Sequence, residues 1–269
     1  MIEGSELAEL RAFAVDAARA AGLITLEGFG AALGFETKDD GSPVTDTDRR
    51  AEELLRRRID ERCPRDGIVG EEFGVTEGGS GRRWTVDPID GTASFVHGVP
   101  LYGVLLGLLE GDEAVLGVIH LPALGETVAA TAGGGCTWWR EGAGPVAARV
   151  RTTARLDQAL VLATDFGRLD DPGPTLERLA AGARRLRTWG DCYGHALVAT
   201  GRADAMIDPR MSPWDSVPLL PIVEEAGGRF TTLTGERRPA GGSALSTTGP
   251  LHEAVLELLE VPGGPAADA

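Results

Sequence analysis

Two unlike halves are predicted from the sequence, an α+β half followed by an α/β half. In the first, apolar runs at Leu101–Leu109, Ala114–Leu121, Thr127–Thr131 and Cys136–Trp139 follow one another with only short turn signals between them, which is the pattern of an antiparallel meander. In the second, strand-like segments at Ala159–Thr164, Arg184–Trp189 and Ala203–Ile207 alternate with helical ones at Thr175–Ala183 and Asp191–Thr200, the pattern of an α/β unit. Gly-rich Glu141–Pro145 separates them and marks a candidate boundary, giving units at 1–144 and 145–269.

The elements follow in order. From Ser5 to about Phe29, Leu7, Leu10, Ala14, Ala17, Ala18 and Ala21 recur at helical spacing and predict a first helix with one packed face. At its end, Gly28-Phe-Gly30-Ala-Ala-Leu-Gly34 imitates a dinucleotide loop, but the last glycine comes one residue late and no strand precedes it. Asp39–Pro43 reads as a turn, and Asp46 as the cap of a second helix with Ala51, Leu54, Leu55 and Ile59 in one stripe. Ile68-Val69-Gly70 is a short strand, Glu77–Gly81 a loop, and Trp84–Asp87 a strand ended by Pro88, which has no N–H for a ladder. After the meander and the alternating segments, Gly201 ends the helix that begins at Asp191. Ser212-Pro213 then opens a last helix, in which Pro218 and Pro221 predict a kink or irregular first turns.

Composition narrows the function. With 269 residues, of which 42% are hydrophobic, the chain can form one large domain or two smaller ones around a compact core. Its net charge of −15 argues against nucleic acid as a partner, because phosphate-backbone binding depends on clustered Lys and Arg. The longest apolar stretch, Val99–Leu109, is far short of the roughly 20 residues that span a bilayer. The start carries no basic segment leading into an apolar one, so a cytoplasmic protein without membrane contact is expected. Cys63, Cys136 and Cys192 form no CxxC pair and suit reduced packing thiols. Lys38 is the only lysine among 26 basic residues.

Chemistry gathers where carboxylates meet turns. Asp87 is placed at the carboxyl end of a strand and Asp90 on the turn after it, so both can converge outside the sheet edge. Two such groups repel, and a hard divalent cation is the usual remedy. Gly91 permits close backbone approach, and a helix beginning near Thr92 would offer free amides to an anion. Glu71 and Glu72 directly follow a short strand, and Asp215 sits in the first turn of a helix whose dipole favours its ionised form. Taken singly, an Asp or Glu in so acidic a chain is more often a solvated charge or a cap than a ligand. Asp165-Phe166-Gly167 lacks the companions of a kinase motif, the four histidines show no metal-ligand spacing, and Trp138-Trp139 reads as strand packing.

Taken together, Gly70-Glu71-Glu72, the string from Trp84 through Asp87-Pro-Ile-Asp90-Gly91-Thr92 to Phe95, Pro213-Trp214-Asp215 and Glu225-Ala-Gly-Gly228 resemble the signatures of the inositol monophosphatase family of Mg-dependent, lithium-sensitive phosphatases. The likeness runs from about Lys38 to Gly228 and implies a layered α-β-α-β-α sandwich, usually a homodimer, acting on a small phosphorylated substrate. Carried across, it implies Glu71, Asp87, Asp90, Asp215 and the Ile89 carbonyl as ligands of two or three Mg2+ ions, and Gly91 with Thr92 at the phosphate. Glu71 and the pair Thr92–Asp48 would orient the attacking water, and Lys38 falls near the family's lysine beside the metals. Ala93-Ser94 departs from the Thr-Asn or Lys-Asn of many members, which leaves the ligands intact and weighs against inositol as substrate.

Arg187–His195 and Pro213–Ile222 are most similar to the histidinol-phosphatase branch. There Asp191 and Asp208 are expected to face the substrate, and two carboxylates suit the ammonium and imidazole of histidinol phosphate. The alternatives are an inositol, sugar or nucleotide-derived phosphate as substrate, or a non-catalytic Mg-binding protein on the same scaffold.

Overall fold

A computed structural model of the chain describes residues 2–30, 36–37, 43–169 and 172–259. The elements run α1 (Gly4–Gly28), β1 (Glu36–Thr37), β2 (Pro43–Val44), α2 (Asp46–Arg62), β3 (Gly67–Gly70), β4 (Gly74–Thr76), β5 (Arg82–Asp90) and α3 (Thr92–Val96). The meander follows as β6 (Gly103–Glu110), β7 (Glu113–Leu121), β8 (Glu126–Thr131) and β9 (Gly135–Arg140), extended by β10 (Val146–Ala147). Then come β11 (Leu160–Ala163), α4 (Pro172–Gly182), β12 (Arg185–Arg187), α5 (Asp191–Ala199), β13 (Ala205–Asp208), α6 (Pro213–Glu225), β14 (Gly228–Thr231), β15 (Ala244–Thr248) and α7 (His252–Leu259).

Apart from the β1–β2 pair, the strands form two sheets, ordered β10-β9-β8-β7-β6-β5-β3-β4 and β12-β11-β13-β15-β14. In the first, β5 to β9 are an antiparallel meander and β3 runs parallel to β5. In the second, β12, β11 and β13 are parallel, with β15 and β14 antiparallel at one side.

Layering follows from which face each strand buries. Along β6, Val104, Leu106 and Leu108 point to one side, where they pack with Leu7, Leu10 and Ala14 of α1 and with Leu55 and Ile59 of α2. Leu105 and Leu109 point to the other side, against Ala196 of α5 and Val217 and Leu220 of α6. Beyond those helices lies the second sheet, whose far face meets Leu179 of α4 and Val255 of α7. The result is the five-layer α-β-α-β-α sandwich. Strands covered on both faces read as near-continuous apolar runs, which is why β6 and β7 show little alternation in the sequence.

Two local expectations are corrected. β5 does not stop before Pro88 but continues to Asp90; its register against β6 shifts between Asp87 and Asp90, so the proline occupies an irregular stretch where its missing N–H leaves no ladder bond unmade. The cap of α2 is Thr45 rather than Asp46: its hydroxyl accepts from the Thr47 N–H at 3.2 Å, and Asp48 reaches back to the Thr45 N–H at 2.9 Å. α6 runs from Pro213 to Glu225 with Pro218 and Pro221 inside it, and in its first turn the Asp215 N–H donates to the Ser212 carbonyl three residues back at 3.2 Å. The expected turn at residues 39–42 lies outside the described residues, as does Lys38.

α6 keeps its place because the sheet beneath it is bare of side chains at one point. Gly107 and Gly117 are cross-strand partners in β6 and β7. A Cβ at Gly117 would lie 1.8 Å from the Pro218 carbonyl oxygen, and one at Gly107 would lie 2.8 Å from Val217 Cγ1. The obstacle at Gly117 is backbone, which cannot swing away as a side chain can. Gly117→Ala is therefore expected to lower unfolding free energy by about 1–3 kcal/mol through overpacking, read as a shifted midpoint in urea. An unchanged midpoint would show that α6 is free to lift from the sheet.

Candidate active site

Three separate devices bring three carboxylates together. Asp87 is turned by its own backbone, its Oδ1 accepting from the Ile89 N–H at 2.9 Å. Asp90 ends β5, and Gly91 follows at φ 84, a left-handed conformation that reverses the chain into α3. Asp215 is pinned at the start of α6 by the Ser212 N–H, which donates to its Oδ2 at 2.7 Å. One oxygen from each of Asp87, Asp90 and Asp215 falls within 4.8 Å of the others. Glu71, in the turn after β3, stands outside that group, yet its charge acts on both Asp87 and Asp215.

The electrostatics show what the cluster lacks. Burial, followed by the charges of Glu71, Asp90 and Asp215, pushes Asp87 well above the usual carboxylate range. Burial and the neighbouring Asp215 raise Asp90 to about 8, although the Cys192 backbone N–H, donating to Asp90 Oδ2 at 2.5 Å, works in the opposite direction. Burial raises Asp215 to about 7, against the pull of the Ser212 N–H. An all-oxygen donor set that holds protons near neutral pH for want of positive charge fits a hard divalent cation.

Around this centre the remaining predicted residues take up definite positions. Asp48 is buried, with Oδ2 accepting from the Thr45 N–H and hydroxyl and Oδ1 without a partner among the described residues. Burial raises its pKa, and Glu71 adds to the rise. The Thr92 hydroxyl donates to the Ile89 carbonyl at 2.9 Å, so among the described contacts Thr92 and Asp48 are each held locally and not by one another.

Asp191 and Asp208 come from different elements and are joined through one hydroxyl. Thr164 Oγ1 donates to Asp208 Oδ2 at 2.7 Å and accepts from the Asp191 N–H at 2.9 Å. Among the described residues, Asp191 is the one non-glycine with positive φ, at 52°. The space over Gly91 is taken by its carboxylate, since a Cβ there would lie 3.0 Å from Asp191 Oδ2. His195 lies 4.0 Å from Asp208 and is depressed to about 3 by burial, so it stays neutral beside that acid. Sequence reasoning missed Thr164, whose residue type carries no signal at a strand end, and Glu52, whose four-residue spacing from Asp48 and Arg56 was available as one.

Comparison with known proteins agrees with this geometry. The profile of the inositol monophosphatase family matches residues 6–261. The histidinol-phosphatase of Chlorobaculum parvum is 45% identical over 86% of this chain and 89% of its own length, and that of Mycobacterium tuberculosis is 41% identical over 84% and 88%. A solved Thermotoga maritima IMPase superimposes with a TM-score of 0.83 at 32% identity, covering 92% of this chain and 95% of its own. Among the described residues, no helix is long and apolar enough to cross a membrane. The family is metal-dependent. With its signature carboxylates converging at one point of a five-layer sandwich, the chain belongs to the inositol monophosphatase family and is a phosphatase.

Proposed function

We propose that the protein is a Mg2+-dependent histidinol-phosphatase, releasing inorganic phosphate and histidinol by attack of water on phosphorus. The observation that carries this reading is the adjacency of two acidic groups of different design. One, Asp87, Asp90 and Asp215, is crowded enough to need cations. The other, Asp191 and Asp208, is tied to the first through Thr164 and the amino end of α5. The histidinol-phosphatase relatives support the substrate, and two carboxylates beside the leaving group suit its ammonium and imidazole.

In this reading Glu71, Asp87, Asp90, Asp215 and the Ile89 carbonyl hold two or three Mg2+ ions. Bound there, the metal supplies Lewis-acid stabilisation of the phosphoryl and leaving oxygens and lowers the pKa of water. Gly91 and Thr92, at the amino end of α3, receive the phosphate. Glu71 orients the water, and Asp48, whose Oδ1 is buried without a partner among the described residues, is an acceptor for the Thr92 hydroxyl once that group turns from the Ile89 carbonyl. A cytoplasmic homodimer belongs to the same proposal, and light scattering would then return twice the 28.1 kDa chain mass.

Asp90→Asn removes a ligand charge at constant volume and is expected to lower kcat by roughly two orders of magnitude or more, since metal stabilisation is worth several kcal/mol. Turnover near wild type at saturating Mg2+ would refute the ligand assignment.

Metal removal has a signed pH dependence. In metal-free protein Asp90 keeps its proton to about pH 8 and Asp215 to about 7, whereas both ionise near 3.8 when unfolded. The folded state therefore binds more protons from about pH 4 upward, and the stability these groups contribute, fully present below 3.8, is lost progressively as pH rises to about 7 for Asp215 and about 8 for Asp90. Buried His120, His195 and His252, depressed from 6.5, change only below that value, so the window from pH 6.5 to 8 isolates the carboxylates. With EDTA, Tm should fall across that window; with millimolar Mg2+ the fall should largely vanish. A flat EDTA profile would contradict the crowding.

The substrate itself is tested by Asp191→Asn and Asp208→Asn. A charge-assisted hydrogen bond is worth about 1.5–3 kcal/mol, so each should cut kcat/KM for histidinol phosphate roughly ten- to hundred-fold and inositol 1-phosphate far less. Equal losses on both substrates would remove the basis for cation recognition.

A further inference from the structure

Glu52 lies one helical turn after Asp48 and one before Arg56, so the three share a face of α2. It is fully buried. Its Oε2 accepts from the Glu72 N–H at 2.7 Å, while Oε1 accepts from Arg56 Nε at 2.7 Å and from the Phe73 N–H at 3.3 Å. Arg56 in turn donates to Thr76 Oγ1 at 3.1 Å and to the Gly74 carbonyl at 2.5 Å. Contact is so close that a Cβ at Gly70 would lie 2.0 Å from Glu52 Oε1. The turn between β3 and β4 is thus held at residues 72, 73, 74 and 76, directly after Glu71, and packs closely on Glu52 at Gly70, directly before it.

Arg56 offsets the charge through Oε1, and the donors that complete the satisfaction of this buried carboxylate are the two backbone N–H groups that come directly after Glu71. We infer that Glu52, steadied by Arg56, is a positioning residue for Glu71. α2 carries Asp48 on its own backbone and, through Glu52, fixes the peptide that follows Glu71, whose own N–H donates to the Val86 carbonyl of β5 at 3.2 Å. One helix therefore sets two water-orienting carboxylates relative to each other, although they are 23 residues apart in the chain. The inference rests on the proposed role of Glu71 at the metal site.

The test is Mn2+ binding by calorimetry on the full chain, together with kcat, KM and Tm, for E52Q, R56K and E71Q. Gln matches Glu52 in size, but its amide turns one acceptor into a donor facing donors. E52Q is expected to weaken Mn2+ binding about tenfold and to lower kcat roughly ten- to hundred-fold, with KM little changed, the range typical of groups that orient metal ligands. R56K keeps both charges and loses the guanidinium fork, so it should show a smaller loss of the same kind, and it carries the test if E52Q does not fold. A lower Tm with wild-type Mn2+ affinity and kcat in both variants would overturn the inference. So would a loss in E52Q with none in R56K, because the missing charge alone would then account for it. Wild-type Mn2+ binding by E71Q would instead overturn the reading of Glu71 on which the inference stands.

Discussion

Three carboxylates held within 4.8 Å of one another inside a protein repel, and the local architecture around Asp87, Asp90 and Asp215 consists largely of ways to hold them there regardless. Each is fixed by a backbone N–H rather than by a basic side chain: Ile89 for Asp87, Cys192 for Asp90, Ser212 for Asp215. That choice matters. An arginine in their midst would relieve the repulsion and occupy the position a cation needs, whereas an N–H group orients a carboxylate while leaving its charge largely in place. The resulting centre is poised to take up divalent charge, and its raised pKa values express the same strain in another form.

The two sheets are tied together at this centre. Asp87 and Asp90 belong to the first sheet, Asp215 to a helix between the sheets, and the Cys192 N–H to the other helix of that layer. Any relative slip of the sheets would separate carboxylates that lie within 4.8 Å of one another. The close seat of α6 on Gly107 and Gly117, and the apolar cluster shared by β6, α5 and α6, oppose such a slip. Packing density far from the chemistry therefore sets the precision of the site, as expected when interiors behave like close-packed solids.

Much of this was legible from the residues, and what was not has physical reasons. The meander, the alternating second half and α1 are written in hydrophobic periodicity, a signal that depends on few residue identities. Asp87 and Asp90 stood out because each directly precedes a Pro or Gly at an element end, and Asp215 because it lies in a first helical turn opened by Pro213. Pro88 misled because a missing N–H excludes a residue from a regular ladder but not from a register shift, which only the partner strand reveals. Thr45 and Asp46 are both good caps, and the choice between them turns on a reciprocal bond three residues on. Thr164 was invisible for another reason, its partners Asp208 and Asp191 being 44 and 27 residues away, while Glu52 offered its spacing from Asp48 and Arg56 but not its bonds to Glu72 and Phe73, 20 and 21 residues on.

A chain with a net charge of −15 must still admit a phosphate ester, and the distribution of acid explains how. The clustered carboxylates of Asp87, Asp90 and Asp215 would become a net attraction for phosphate only with cations bound, since the ions would then be the largest local charges. In the proposed reading Asp191 and Asp208, joined through Thr164, face the other end of the substrate, and their charge does not depend on bound metal. His195 does not cancel it, being held neutral by burial. The site thus presents opposite potentials a short distance apart, and a molecule that carries phosphate at one end and positive charge at the other matches both. A neutral polyol phosphate would use only the first. The left-handed backbone at Asp191 is consistent with this division, because strain at a non-glycine residue persists where surrounding contacts over-determine it, and here they do so at the junction of the two potentials.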